Sequence, residues 1–226
     1  MNSSRVWLER EIAGFATTLP QGSRILDAGA GDQPYRAMFA HCTYEAADFE
    51  LVDKPYARST HVCDLAAIPV EAGRFDAILF SQVMEHLPDP GTVLRELHRV
   101  LKPGGRLFCS APLFYEEHEQ PYDFHRYTQF GMRRYLEAAG FVVTDQRWLE
   151  GFAGTCAYQF DRMAAALPRH PRHYGGGPAG LLASLAVTTG RPLMRLAARG
   201  LNAADKRHRY TDAGYCKNWL MLAQRL

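Results

Sequence analysis

Residues 24–35, "RILDAGAGDQPY", decide how this chain is read. A short apolar run ends in two glycines, Gly29 and Gly31, with the acid Asp27 just ahead of them. Glycine, lacking a Cβ, lets a backbone turn sharply and come close to a bound group. The stretch therefore predicts a strand opening into a cofactor loop. A phosphate-cradling loop would need GxxxxGK[ST], which no stretch supplies. A dinucleotide fingerprint would need a third glycine three residues past the second, and Pro34 stands there. What remains is the glycine pair, Asp27 and a second acid, Asp48, 21 residues further on.

Outward from that stretch, strand and helix signals alternate. "YEAAD" (44–48) and "THVCDL" (60–65) read as weaker strands, and "FDAILFS" (75–81) as a strand buried on both faces. A helix capped by Asp89 follows, with Val93, Leu94, Leu97, Val100 and Leu101 on one face and "KPGG" (102–105) expected as its stop. "RLFCSAP" (106–112) is a fifth strand, 128–139 a helix, and "FVVTDQRWL" (141–149) a sixth strand. Ahead of them all, 3–18 reads as an amphipathic helix. The connections are too long for hairpins. They predict an α/β fold: a Rossmann-like, doubly wound, seven-stranded and mostly parallel sheet with helices on both faces.

After Gly151 the alternation stops. "FAGTCAYQFDRMAAAL" is helical in pattern, "PRHPRHYGGGP" is a basic loop, and "LLASLAVTTGRPLMRLAARGL" makes one or two more helices. "YCKNWLMLAQR" (215–225) then returns as the last strand. The expected organisation is a core of residues 1–150 and 212–226, with 151–211 as a helical insertion. Residues 161–210 hold nine Arg/Lys and two Asp/Glu, so this segment carries +7 while the whole chain carries only +2. Five scattered cysteines with no CxxC indicate neither a disulfide framework nor a zinc site, and no metal is expected. No apolar run approaches the ~18 residues that cross a bilayer, and charges interrupt the N-terminus where a signal peptide is apolar. A cytoplasmic protein is expected.

Six segments in order, "LDAGAG" (26–31), "AADFE" (46–50), "CDL" (63–65), "FDAILFSQVMEHL" (75–87), "LKPGGRL" (101–107) and "PYDFHRYT" (121–128), resemble the class I S-adenosylmethionine-dependent methyltransferases. The resemblance spans nearly all of 22–150 and the final strand. It implies that S-adenosyl-L-methionine is the cofactor. Gly29 and Gly31 would approach its amino-acid end, while Asp27 orders the loop and favours the cationic groups. Asp48, with Phe49 beside it, would take the ribose hydroxyls. Asp64 and Leu65 would contact adenine, and Ser81 and Gln82 would line the methionine side.

Methyl transfer from a sulfonium is an in-line displacement, so alignment is the main demand. An O or N nucleophile can also need a general base. His86 in "MEHL" and His125 in "YDFHRY" are the candidates, and either could instead be a structural histidine. Asp123, Arg126 and Tyr127 belong to the expected acceptor site, with Arg126 either anchoring an anion or pairing with a nearby acid. Nucleic-acid targets are disfavoured, because "SQVM" after the fourth strand lacks the D/N-P-P-Y motif and the Pro-Cys nucleophile. A small-molecule, glycan or lipid-linked acceptor is expected. The flanks of the insertion resemble bacterial family members, some from polysaccharide or natural-product pathways. The insertion is read first as a lid, then as a homodimer interface, then as a peripheral membrane contact. A cofactor-binding protein without transfer activity is the non-enzymatic alternative.

Overall fold

The computed structural model describes residues 2–51 and 56–226. Seven strands form one sheet: β1 (Arg24–Ala28), β2 (Thr43–Asp48), β3 (His61–Val62), β4 (Phe75–Ser81), β5 (Leu101–Pro112), β6 (Phe141–Trp148) and β7 (Asn218–Arg225). Their order is β3-β2-β1-β4-β5-β7-β6, with β7 antiparallel to both neighbours and the other pairs parallel. β1 and β4 are wholly apolar at their centres, with Ile25, Leu26, Ala77, Ile78, Leu79 and Phe80 inaccessible. Strands this apolar must be covered on both faces.

The cover is visible in two sets of contacts. Helix α1 (Ser3–Thr17) sets Phe15 against Phe108 of β5, ring centroids 5.6 Å apart, and Arg106 donates to the Thr18 carbonyl at 2.8 Å. On the other face, α2 (Pro90–Val100) presents its last carbonyls to Arg225, and its His98 ring meets Phe141 edge-on at 5.1 Å. Phe108 pairs with Leu222, an odd number of residues from Arg225, so the two sets lie on opposite faces. α3 (Gln129–Ala138) packs beside α2 and over β6. Asp89 caps α2 by accepting the Thr92 N–H, and Thr128 caps α3 by accepting that of Gly131.

Four expectations need correction. "KPGG" does not end α2, which stops at Val100; Leu101 is already extended and the four residues lie inside β5. Pro103 disfavours helical geometry at Lys102, and Gly104 has φ +78. The excess residues bulge between the Phe75–Leu101 and Ala77–Arg106 pairs. Helices do not alternate with strands throughout: among the described residues, β1 to β2 is bridged only by a 3-10 turn (Arg36–Phe39), and β2 to β4 by no helix. "THVCDL" shrinks to a two-residue strand, and the last strand starts at Asn218 rather than 215.

The chain divides into two compact units, residues 8–149 with 217–226, and residues 150–216 with 2–7. The second unit is therefore larger than the expected insertion, because the start of α1 belongs to it. Ser3 donates its N–H to Asn202 at 2.7 Å, Trp7 Nε1–H donates to the Asp205 carbonyl at 3.1 Å, and Arg209 lies over the Trp7 ring at 4.6 Å. The unit is built on α4 (Phe152–Ala166) and a single long α5 (Gly177–Arg207), continuous through Pro192. Along α5, Gly180, Ser184, Arg191, Ala198 and Asp205 are buried on one side. Leu181, Leu182, Leu185, Leu193 and Leu196 are all more than half exposed, within an arc of about 120° on the other side at 3.6 residues per turn. Arg191 is internal: it donates to the carbonyls of Ala164 and Leu167. Among the described residues, no helix is long and apolar enough to cross a membrane.

Candidate active site

The strand order reverses at β1, with β2 on one side and β4 on the other. Loops leaving β1 and β4 diverge there, and such a point is where open α/β sheets bind ligands. A cavity of about 250 Å³ opens at these carboxyl ends. Gly29, Asp48, Phe49, Leu51, Tyr56, Asp64 and Leu65 line one part; Gln82, Val83, His86, Leu87, Pro88, Glu119 and Tyr122 complete it.

The glycine loop is built for close approach. Gly29 has φ +79, and a Cβ there would run into the Val83 side chain. Gly31 has φ +54 with open space around it. Asp48 ties this loop to β2: Oδ2 accepts the Gly31 N–H at 2.8 Å and Oδ1 accepts the Glu50 N–H at 3.1 Å. A carboxylate offers about four lone-pair sites, so each oxygen keeps capacity for a hydroxyl. Asp64 accepts the Ala66 N–H through Oδ1 at 2.8 Å, and Leu65 is buried behind it. Gln82 lies at φ +58 and donates from Nε2 to Ser110 Oγ at 3.2 Å.

Three expected cofactor residues are not on the cavity wall: Gly31, held by Asp48, and the side chains of Asp27 and Ser81. Asp27 is buried and accepts a hydrogen bond from the Tyr44 hydroxyl; burial pushes its carboxyl up to about 7, against the lowering effect of that bond. Ser81 shares a hydrogen bond with Ser110, Oγ to Oγ 3.0 Å. Through Ser110, Ser81 connects to Gln82, which does line it.

At the other end, His86 closes a 3-10 turn (Met84–His86), and its Nδ1 lies 2.6 Å from the Tyr122 carbonyl. Burial holds this imidazole below its ordinary range, the nearby carbonyl opposing. Nδ1 facing a carbonyl carries the proton, which leaves a lone pair on Nε2. His125 is not at the cavity wall, and its buried Nε2 has no partner among the described residues. Asp123 and Arg126 face each other in a two-pronged ion pair at 2.6 and 2.8 Å, which holds the Asp123 carboxyl well below the usual range. Arg126 also donates to the Tyr115 and Glu116 carbonyls. Tyr127 is buried and donates to the Met84 carbonyl at 2.8 Å. These three side chains thus brace the segment 115–127.

Glu119, Tyr122, Val83 and Glu85 escaped sequence reasoning. The first two stand in an irregular loop with no periodicity, and Val83 matters only because Gly29 faces it. Glu85 lies inside the quoted "MEHL", yet its burial at 1% exposure has no sequence signal. Burial pushes its carboxyl up to about 8.

Fold and site together define an open α/β protein with a ligand-sized cavity at the carboxyl ends of its strands and Asp48 on the wall. Residues 4–146 match the family model described as a methyltransferase domain, and the chain belongs to that family, the class I S-adenosylmethionine-dependent methyltransferases. Proteins of this class use S-adenosylmethionine as methyl donor. A ubiquinone biosynthesis O-methyltransferase of Pseudomonas aeruginosa (strain LESB58) is 31% identical over 124 residues, 49% of this chain and 51% of that one. The chain thus spans about half the length of such curated relatives. Among solved structures, the [4+2]-cyclase SpnF superposes with a TM-score of 0.58 at 21% identity, covering 96% of this chain and 79% of that one. The 1,6-didemethyltoxoflavin-N1-methyltransferase of Burkholderia thailandensis, with S-adenosylhomocysteine bound, gives 0.51 at 23% identity over 62% and 70%.

Proposed function

We propose that the protein methylates a hydroxyl of a small-molecule, glycan or lipid-linked acceptor. The carrying observation is the cavity itself, which joins the Gly29–Asp48 end to a polar end formed by His86, Glu119 and Tyr122. S-adenosylmethionine supplies a sulfonium-bound methyl whose leaving group departs without protonation. The chain has to hold and align. Gly29 and Gly31 give backbone access to the amino-acid part, Asp48 takes the ribose diol with its remaining lone pairs, and Asp64 takes the adenine amine. Phe49, Leu51 and Leu65 supply the apolar walls. His86, neutral near pH 7 and with Nε2 unprotonated, receives the acceptor proton. Asp123, Arg126 and Tyr127 act by bracing the loop that brings Glu119 and Tyr122 to the acceptor.

Support for an oxygen acceptor comes from the partial relatives named as O-methyltransferases. The insertion, residues 151–211, serves acceptor selection in this reading. The leucine face of α5 lies opposite the packing within its own unit, an apolar surface of the kind that would suit an apolar acceptor. Methyl transfer from labelled S-adenosylmethionine to phenolic, glycan and polyprenyl-linked alcohols tests the proposal. Label appearing only on nitrogen acceptors would overturn it.

A second reading, cofactor binding without methyl transfer, gains from the structural likeness to a protein named as a cyclase, since a fold does not fix the reaction. Tight cofactor binding with no transfer to any acceptor would favour it.

A further inference from the structure

We propose that Glu85, His86 and His118 form a binding site for a divalent transition cation at the acceptor end of the cavity. One potential ligand atom of each lies within 4.8 Å of those of the other two. Tetrahedral coordination at about 2.0–2.2 Å spaces ligand atoms by roughly 3.4 Å. Closing the gap takes a shift of about 1.4 Å, and His118 stands in a segment outside any helix or strand.

Three observations point to a cation rather than to a chance cluster. The Glu85 side chain is 1% exposed and its Oε2 has no hydrogen-bond partner among the described residues. A buried carboxyl oxygen without a partner carries a desolvation cost even when protonated, and a cation that displaced the proton would satisfy it. Arg126 does not fill the role, since its two terminal nitrogens are held by Asp123 and main-chain carbonyls. Next, both imidazoles are oriented from behind. His86 Nδ1 faces the Tyr122 carbonyl, and His118 Nδ1 lies 3.2 Å from the Glu116 carbonyl and 3.2 Å from Asp123 Oδ2. Metal-bound histidines are held in this way, the far nitrogen on an oxygen and the near one free to ligate. Finally, the rings of His86 and His118 meet edge-on with centroids 4.7 Å apart, so the two imidazoles are direct neighbours.

Two imidazoles and one carboxylate leave at least one coordination position open, the composition of catalytic rather than structural zinc-type sites. His86 lies on the cavity wall, so that position is available to the acceptor. Resting on the hydroxyl-acceptor reading above, the cation would bind the acceptor oxygen. The O–H bond then breaks with its electron pair kept on oxygen and its proton passed to water, as metal ions promote by lowering the pKa of bound oxygen. His86 Nε2 would hold the ion instead of taking the proton itself.

The test is titration of the protein with Co2+ alone, followed by calorimetry and visible absorption, and repeated with Zn2+. One saturable equivalent is expected, with a nitrogen/oxygen-ligand spectrum free of thiolate charge-transfer bands. His118→Ala and Glu85→Gln should each weaken it by about 100-fold, and His173→Ala, an exposed imidazole in the other unit, should leave it unchanged. S-adenosylmethionine affinity of His118→Ala, within about twofold of the parent, would certify an intact core. Absence of saturable binding, thiolate bands, or equal affinity in all variants would overturn the site. Loss of methyl transfer to hydroxyls with Co2+ binding intact would instead count against the acceptor reading.

Discussion

Asp48 Oδ2 accepts the Gly31 N–H at 2.8 Å, so the acid ending β2 and the loop after β1 form one construction. Asp48 does two jobs: it fixes the loop and faces the cavity. Replacing Asp48 with Ala should cost cofactor affinity on the order of 1–3 kcal/mol, the range for a hydrogen bond to a charged group. Calorimetry with S-adenosylhomocysteine checks it. Asp48→Asn should retain part of the affinity, because its amide oxygen still accepts one backbone N–H.

Gly29→Ala should be more damaging than Gly31→Ala. Both have positive φ, but only at Gly29 would the new methyl meet the Val83 side chain. Cofactor binding should fall by at least an order of magnitude for Gly29→Ala, and Val83→Ala in the same chain should restore part of it. An equal effect of the two single variants would remove the close-packing argument.

Asp27 gives a stability dependence with a definite sign. Its carboxyl is pushed from 3.8 to about 7 by burial, so the folded state binds a proton more tightly than the unfolded chain. Its contribution to stability is therefore complete below pH ~4 and is lost as pH rises toward 7, following the linkage of proton binding to folding. Asp27→Asn keeps an oxygen for the Tyr44 hydroxyl and cannot ionise. Urea midpoints at pH 5 and pH 8 should differ less in this variant than in the parent, after the other groups' common change is subtracted. No narrowing would mean that Asp27 is solvated in the folded protein.

Substituting His86 with Ala should lower turnover by about 10²–10⁴ with little change in cofactor affinity, whether the side chain takes a proton or holds a cation. Chelator sensitivity separates the two roles: activity lost to a chelator and restored by Zn2+ or Co2+ requires the cation. His125→Ala, at a position off the cavity wall, should act through stability instead, seen as a lowered unfolding midpoint.

The leucine face of α5 should govern acceptor choice. Leu185→Gln with Leu193→Gln changes exposed side chains only, so folding and cofactor affinity should stay within about twofold. Use of apolar acceptors should fall relative to polar ones. A shift in oligomeric state on gel filtration would assign the face to a second copy, and loss of binding to anionic vesicles would assign it to a membrane surface.

Patterns with a short repeat carried most of the sheet. The apolar runs of β1 and β4, the capped face of α2 and the glycine–acid spacing were legible because each is fixed by neighbours along the chain. From them came the strand count; the cofactor and the residues Gly29, Asp48, Phe49, Asp64, Leu65, Gln82 and His86, all of which line the cavity, came from the family resemblance of the segments that carry them. "KPGG" misled because proline and glycine stop a helix and bulge a strand by the same local geometry, and only pairing with β4 decides between them. The start of α1 joined the insertion through Asn202 and Asp205, nearly two hundred residues away, a contact without local trace. Nothing along the chain marks Glu85 as buried with an unpartnered Oε2, or His118 as a neighbour of Asp123 and His86. Local sequence set the elements and the ligand-facing loops, since backbone preferences act over a few residues. The environment of each charge depended on groups brought together from distant positions, and only the folded chain assembles those.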